Sequence, residues 1–125
     1  MENKNNPLSP HLQIYRWHIS SLLSITHRIT GIVNFVSIII LSFLIIFSSQ
    51  NYDFFEVIFK SFFGKIIIVS LCWSFSFQIL NEIRHLSWDL GYGFDLKISR
   101  ITGVLTIFGS FILAILFYIA GRLFI

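Results

Sequence analysis

Residues 29–52 read ITGIVNFVSIIILSFLIIFSSQNY, a run without one charged side chain. Its roughly 24 residues, at about 1.5 Å of rise each, make a helix of about 36 Å, enough to cross a hydrocarbon layer of about 30 Å. The rest of the chain agrees with a membrane environment. Of 125 residues, 55% are hydrophobic and only 12% are charged, against about 25% charged in soluble domains, and the mean hydropathy is +0.80. Fifteen Phe, three Trp and four Tyr would crowd a soluble core of this size, whereas lipid accepts them on an outer surface.

Two further spans are expected, at residues 62–83 and 101–121. In the second, Lys65 can snorkel, and the polar far end need not face lipid. The connections SSQNYDFFEV and SWDLGYGFDLKISR are short enough to make neighbouring spans antiparallel. The sequence therefore predicts an all-α bundle of three transmembrane helices, with residues 1–125 forming one domain and an N-terminal segment on the inner side. It contains no convincing internal repeat.

That side carries Lys4, Arg16, Arg28, Arg84, Lys97 and Arg100, whereas Lys60, Lys65 and Arg122 fall on the other. The excess places the N-terminus in the matrix or cytoplasm. His11, His18, His27 and His85 share the same side. A net charge of +3 could suggest nucleic acid, but the basic residues are scattered and flank apolar spans. The N-terminal MENKNNPLSPHLQIY is neither a secretory signal nor an Arg-rich presequence, so an organellar copy is expected to be organelle-encoded. Cys72 has no partner for a disulfide and is read as packing.

Helical spacing puts Ser74, Gln78, Asn81, Glu82 and His85 on one stripe of the second span. Ser20, Ser24, His27, Arg28, Gly31 and Asn34 follow a similar spacing at the start of the first. Burying a charge in hydrocarbon costs about 2.5–3.5 kcal/mol, so such residues face a bundle interior or a wet cavity, or snorkel when near a span end. Two stripes at one depth can line one pocket. A serine one turn before an arginine suits a lipid-soluble, reducible head such as a quinone: the hydroxyl donates to a carbonyl and the guanidinium stabilises developing negative charge. Haem would use similar residues, and a proton relay or a structural bundle would show comparable stripes.

Three motifs, PLSPHLQIY at Pro7–Tyr15, SITHRITG at Ser24–Gly31 and IRHLSWDLGYG at Ile83–Gly93, together resemble the cytochrome b membrane-anchor subunit of succinate dehydrogenase, respiratory complex II, of the mitochondrial and alphaproteobacterial type. The likeness covers nearly the whole chain. It implies an anchor that, with a second small membrane subunit, holds the iron–sulfur and flavoprotein subunits against the inner face of a mitochondrial inner membrane or, alternatively, an alphaproteobacterial one. Electrons from succinate would there reach ubiquinone, while succinate itself is oxidised on another chain. The resemblance makes Ser24 and Arg28 quinone-site residues, and His27, Arg84 and His85 neighbours of that pocket or of haem propionates, with Asp89 in the same inner-side cluster.

The sequence departs from the family at two positions. Gln78 stands where the axial haem histidine is usual, seven residues before His85, and Glu82 replaces the usual glycine. An amide is a poor iron ligand, and Glu82 needs a partner such as Arg84 or a basic group on another chain. The change implies weak or absent haem b. His85 as ligand of a displaced haem and ligation by the partner anchor are the alternatives.

Overall fold

The computed structural model describes residues 18–124. The Pro7–Tyr15 motif, Lys4, His11 and Arg16 lie outside the described residues, as does the expected inner-side N-terminal segment. The elements are α1 (Ile19–Ser48), α2 (Tyr52–Lys60), α3 (Phe62–Asp89) and α4 (Leu96–Phe124), with no strand among the described residues. Three of them, α1, α3 and α4, are 30, 28 and 29 residues long and apolar enough to cross a membrane. At about 42–45 Å each, they outrun the hydrocarbon by several residues. This is the expected three-span all-α architecture. The α1 helix begins ten residues before the expected start of its span, so His27 and Arg28 sit well inside it.

One connection is not the simple loop expected. SSQNYDFFEV leads into α2, a short amphipathic helix. Asp53 lies in its first turn and Lys60 in its last, each favourable to the helix dipole. Lys60 donates to Glu56 one turn back, and this bond, with the carboxylate's charge, holds the ammonium protonated to higher pH than usual. Phe54 and Val57 stay exposed, and no α2 residue is buried. Ser61 is extended (φ −61°, ψ 152°) and turns the chain from α2 into α3. Gly64 then passes so near the Ile58 carbonyl that a Cβ would collide with it.

At the other end of α3, Gly91 (φ 87°) takes the left-handed conformation. The amides of Gly91 and Tyr92 donate to the Trp88 and Ser87 carbonyls, both at 2.9 Å. These bonds form a Schellman cap, which leaves a short turn back into α4.

Each span packs against the other two, and α3 makes the most extensive contacts with both neighbours. The interior is largely polar. Among the described residues, Leu23, Phe77 and Ala114 are the buried apolar ones, against buried Thr30, Asn34, Ser37, Ser74, Ser76, Asn81, Arg84, Thr106 and Ser110. Lipid is as apolar as leucine, so spans gain little by burying leucines against each other and more by close approach and hydrogen bonds. Hydroxyls satisfy themselves on their own helix: Ser76 donates to Cys72 O at 2.6 Å and Thr106 to Thr102 O at 2.8 Å. Gly103 admits Leu23 and Ile19 of α1 against α4.

Candidate functional site

At the end of the bundle where α1 begins and α3 ends, both helices turn polar side chains into one cleft. Thr30 lies one turn after His27 on α1, and Gln78, Glu82 and His85 follow at helical spacing on α3. The buried Thr30 hydroxyl donates to Gln78 Oε1 at 2.9 Å. His27 Nε2 lies 3.1 Å from Glu82 Oε1 and 3.4 Å from Gln78 Nε2. One ring nitrogen cannot donate to a carboxylate and accept from an amide at once. The shorter contact assigns its proton to Glu82, leaving the Gln78 amide in van der Waals contact.

His27 is mostly buried while Glu82 keeps 55% of its side chain exposed, so the chain of contacts runs from the bundle interior to an open edge. The buried His27 Nδ1 and Asn81 Oδ1 have no partner among the described residues. A bare Nδ1 lone pair costs less than a buried unpaired N–H, which favours the tautomer with its proton toward Glu82. His85 completes the cleft. Its ring meets those of His27 and Trp88 edge-on, with centroids 5.4 and 5.2 Å away, and its Nε2 lies 3.4 Å from Asn81 Nδ2.

Deeper in the bundle a second polar tie joins the same helices. Ser74 Oγ donates to Asn34 Oδ1 at 2.7 Å, and Asn34 Nδ2 donates to the Ser74 carbonyl at 3.4 Å. A Cβ on Gly31 would lie 3.5 Å from Gln78 Nε2, in ordinary contact. On the far side of Thr30 and Ser74 is an apolar groove of about 650 Å³ between the three spans, walled by Ile29, Val33, Val69, Trp73, Phe111 and Tyr118. None of the ionisable cleft residues reaches it.

The residues expected to act together are thus divided. The structure unites His27, Gln78, Glu82 and His85, and adds Thr30, which sequence reasoning missed although it stands one turn from both His27 and Asn34. Ser24 and Arg28, one turn apart, are exposed on α1, with no side-chain partner among the described residues. Asp89 is also exposed. Arg84 is 6% exposed and turns toward α4, donating to the Ser99 carbonyl at 3.0 Å, the Ser99 hydroxyl at 3.1 Å and Thr102 Oγ1 at 3.3 Å. Its guanidinium also lies 4.2 Å over the Trp88 ring. Glu82 therefore pairs with His27, not with Arg84.

Three apolar spans around a polar interior, with Arg28 and Glu82 exposed at one end, define an integral membrane protein. Residues 2–117 match the succinate dehydrogenase/fumarate reductase transmembrane subunit family, and the chain belongs to that family. It is 38% identical over 113 residues, 90% of each chain, to the succinate dehydrogenase cytochrome b556 subunit of Rickettsia conorii. It is 32% identical over 115 residues to the protein of the same name from Paracoccus denitrificans, covering 90% of this chain and 88% of that one. To the mitochondrial succinate dehydrogenase cytochrome b560 subunit of Mus musculus it is 38% identical over 109 residues, 82% of this chain and 63% of the other.

The relatives' names call for a test of haem fit. Haem iron needs a good axial donor, usually imidazole, and the macrocycle needs an open face. Gln78 offers an amide whose oxygen is already held by Thr30. A carboxylate stands one turn further along the same face and occupies His27 Nε2. Gln78 and His27 Nε2 do not fit as axial haem ligands.

Proposed function

We propose that this chain is a membrane anchor of succinate dehydrogenase that, with a second small anchor, docks the iron–sulfur and flavoprotein subunits and forms part of the site where ubiquinone is reduced. One observation carries the reading: Ser24 and Arg28 lie exposed on α1 beside the His27–Glu82 cleft. Left in hydrocarbon, Arg28 would cost about 2.5–3.5 kcal/mol, so this face suits cover by a partner chain and a polar-headed ligand.

Quinone reduction takes two electrons and two protons. The electrons arrive from succinate through subunits other than this one, whose part is to bind and orient. The Ser24 hydroxyl donates a hydrogen bond to a quinone carbonyl, and Arg28 stabilises the charge gathering on that oxygen. His27 and His85 border the site, while Arg84 supports it from behind by fixing the end of α3 to α4. The whole chain acts as one domain in an inner membrane, mitochondrial or alphaproteobacterial, with its N-terminus facing the matrix or cytoplasm.

The test is co-purification with a flavoprotein, followed by Arg28→Ala and Ser24→Ala in the assembled complex. Quinone reduction by succinate should fall while reduction of an artificial dye acceptor persists. Unchanged quinone reduction in both variants would make the chain a purely structural anchor.

A further inference from the structure

We infer that this chain contributes no axial ligand to haem, and that Thr30, Gln78, His27 and Glu82 close the cleft on themselves as a side-chain staple between α1 and α3. The inference rests on the reading as a succinate dehydrogenase anchor, and it concerns what the anchor's own nitrogen donors are committed to.

The donors in the cleft are engaged by neighbouring side chains or enclosed between the helices. Gln78 Oε1 accepts from Thr30 at 2.9 Å. His27 Nε2, 3.1 Å from Glu82, carries the proton of that contact, so it has no lone pair for a metal. His27 Nδ1 is buried, with no partner among the described residues, so no iron atom can approach it unless α1 and α3 separate. His85 Nε2 sits beside the Asn81 amide N–H at 3.4 Å, and its ring is flanked edge-on by His27 and Trp88.

The space is used as well. A Cβ on Gly31 would already lie 3.5 Å from Gln78 Nε2 across the helix interface, and Glu82 adds a carboxylate where a flat, anionic macrocycle would want an apolar or basic wall. Together the four side chains link two spans across 48–55 residues of sequence with direct contacts. That linkage is what a ligated prosthetic group would otherwise supply.

The experiment uses the purified complex with all its subunits. Haem per flavin is measured by pyridine haemochrome in the unaltered complex and in His27→Ala, His85→Ala and Gln78→Leu. The expected ratio is the same in all four. Loss of half or more of the haem in any variant that still co-purifies with flavoprotein would overturn the inference. Failure to co-purify with flavoprotein in the unaltered chain would instead reject the anchor reading. Where His27→Ala does not assemble, His27→Gln is judged by the same criterion.

The staple has its own readout, the half-life of the complex in detergent at fixed temperature. Glu82→Ala and His27→Ala should each shorten it, and the double variant should shorten it no more than the worse single one. Effects that multiply would mean that the two side chains act independently and that there is no staple.

Discussion

The Arg84 guanidinium donates to the Ser99 carbonyl oxygen at 3.0 Å, joining the last turns of α3 to the first turn of α4. The same side chain reaches the Ser99 and Thr102 hydroxyls and lies over Trp88, so a single arginine organises the helix turn behind the cleft. A lysine cannot reproduce this fork. Arg84→Lys should cost the complex about 1.5–3 kcal/mol of stability, seen as a lower midpoint of thermal unfolding in detergent. Quinone reduction per assembled complex should stay within about twofold, because Arg84 faces α4.

Three glycines should rank by what surrounds them. Gly64→Ala drives its methyl into the Ile58 backbone carbonyl, which cannot rotate away, and should most reduce assembled complex. Gly103→Ala meets the buried Leu23 side chain at 2.7 Å, and should cost about 1–3 kcal/mol. Gly121→Ala has nothing within 4 Å, and should be neutral or gain about 0.5–1 kcal/mol from helix propensity. Thermal midpoints of the three complexes check the order.

Asn34 and Ser74 exchange two hydrogen bonds within the membrane. Intramembrane pairs of this kind average about 0.6 kcal/mol and reach about 1.7. A double-mutant cycle of Asn34→Leu and Ser74→Ala should return a coupling in that range, without change in dye reduction by succinate.

Arg28 should separate binding from succinate oxidation. Arg28→Ala should lower quinone reduction by about 10²-fold, the loss typical of one preorganised donor to a developing oxyanion. Arg28→Lys should recover part of it by charge alone. Both should leave dye reduction at the level of the unaltered complex.

The topology can be read by labelling. In a Cys72→Ser background, a cysteine at Val57 in α2 should react with an impermeant maleimide from the outside of intact membranes. One at Lys97, at the start of α4, should react only after permeabilisation. The reverse pattern would invert the orientation derived from the distribution of Lys and Arg.

Much of the fold was legible because lipid imposes a simple code: long stretches without charge become spans, and the three expected spans lie within or largely overlap α1, α3 and α4. The helix α2 was harder to see. Its polar residues Asp53, Glu56 and Lys60 do share one face, but nine residues carry too little pattern to stand out between two spans.

The α3 stripe was legible because Gln78, Glu82 and His85 interrupt an apolar background. On α1 the phase was harder to read. Ser24, His27 and Arg28 lie within one turn, and only packing shows that His27 and Thr30 turn inward while Ser24 and Arg28 stay outside. Arg84 was the least legible residue. Its partners Ser99 and Thr102 lie beyond a turn, and from sequence alone a boundary arginine equally suits a headgroup.

The scarcity of buried leucine and phenylalanine bears on the life of the chain in a cell. Because its helices hold together through hydroxyls and amides rather than through exclusion of solvent, prising them apart in a bilayer meets little resistance. A copy made without its companions should therefore be an easy target for membrane proteases, and its abundance should be set by the supply of those companions rather than by its own synthesis.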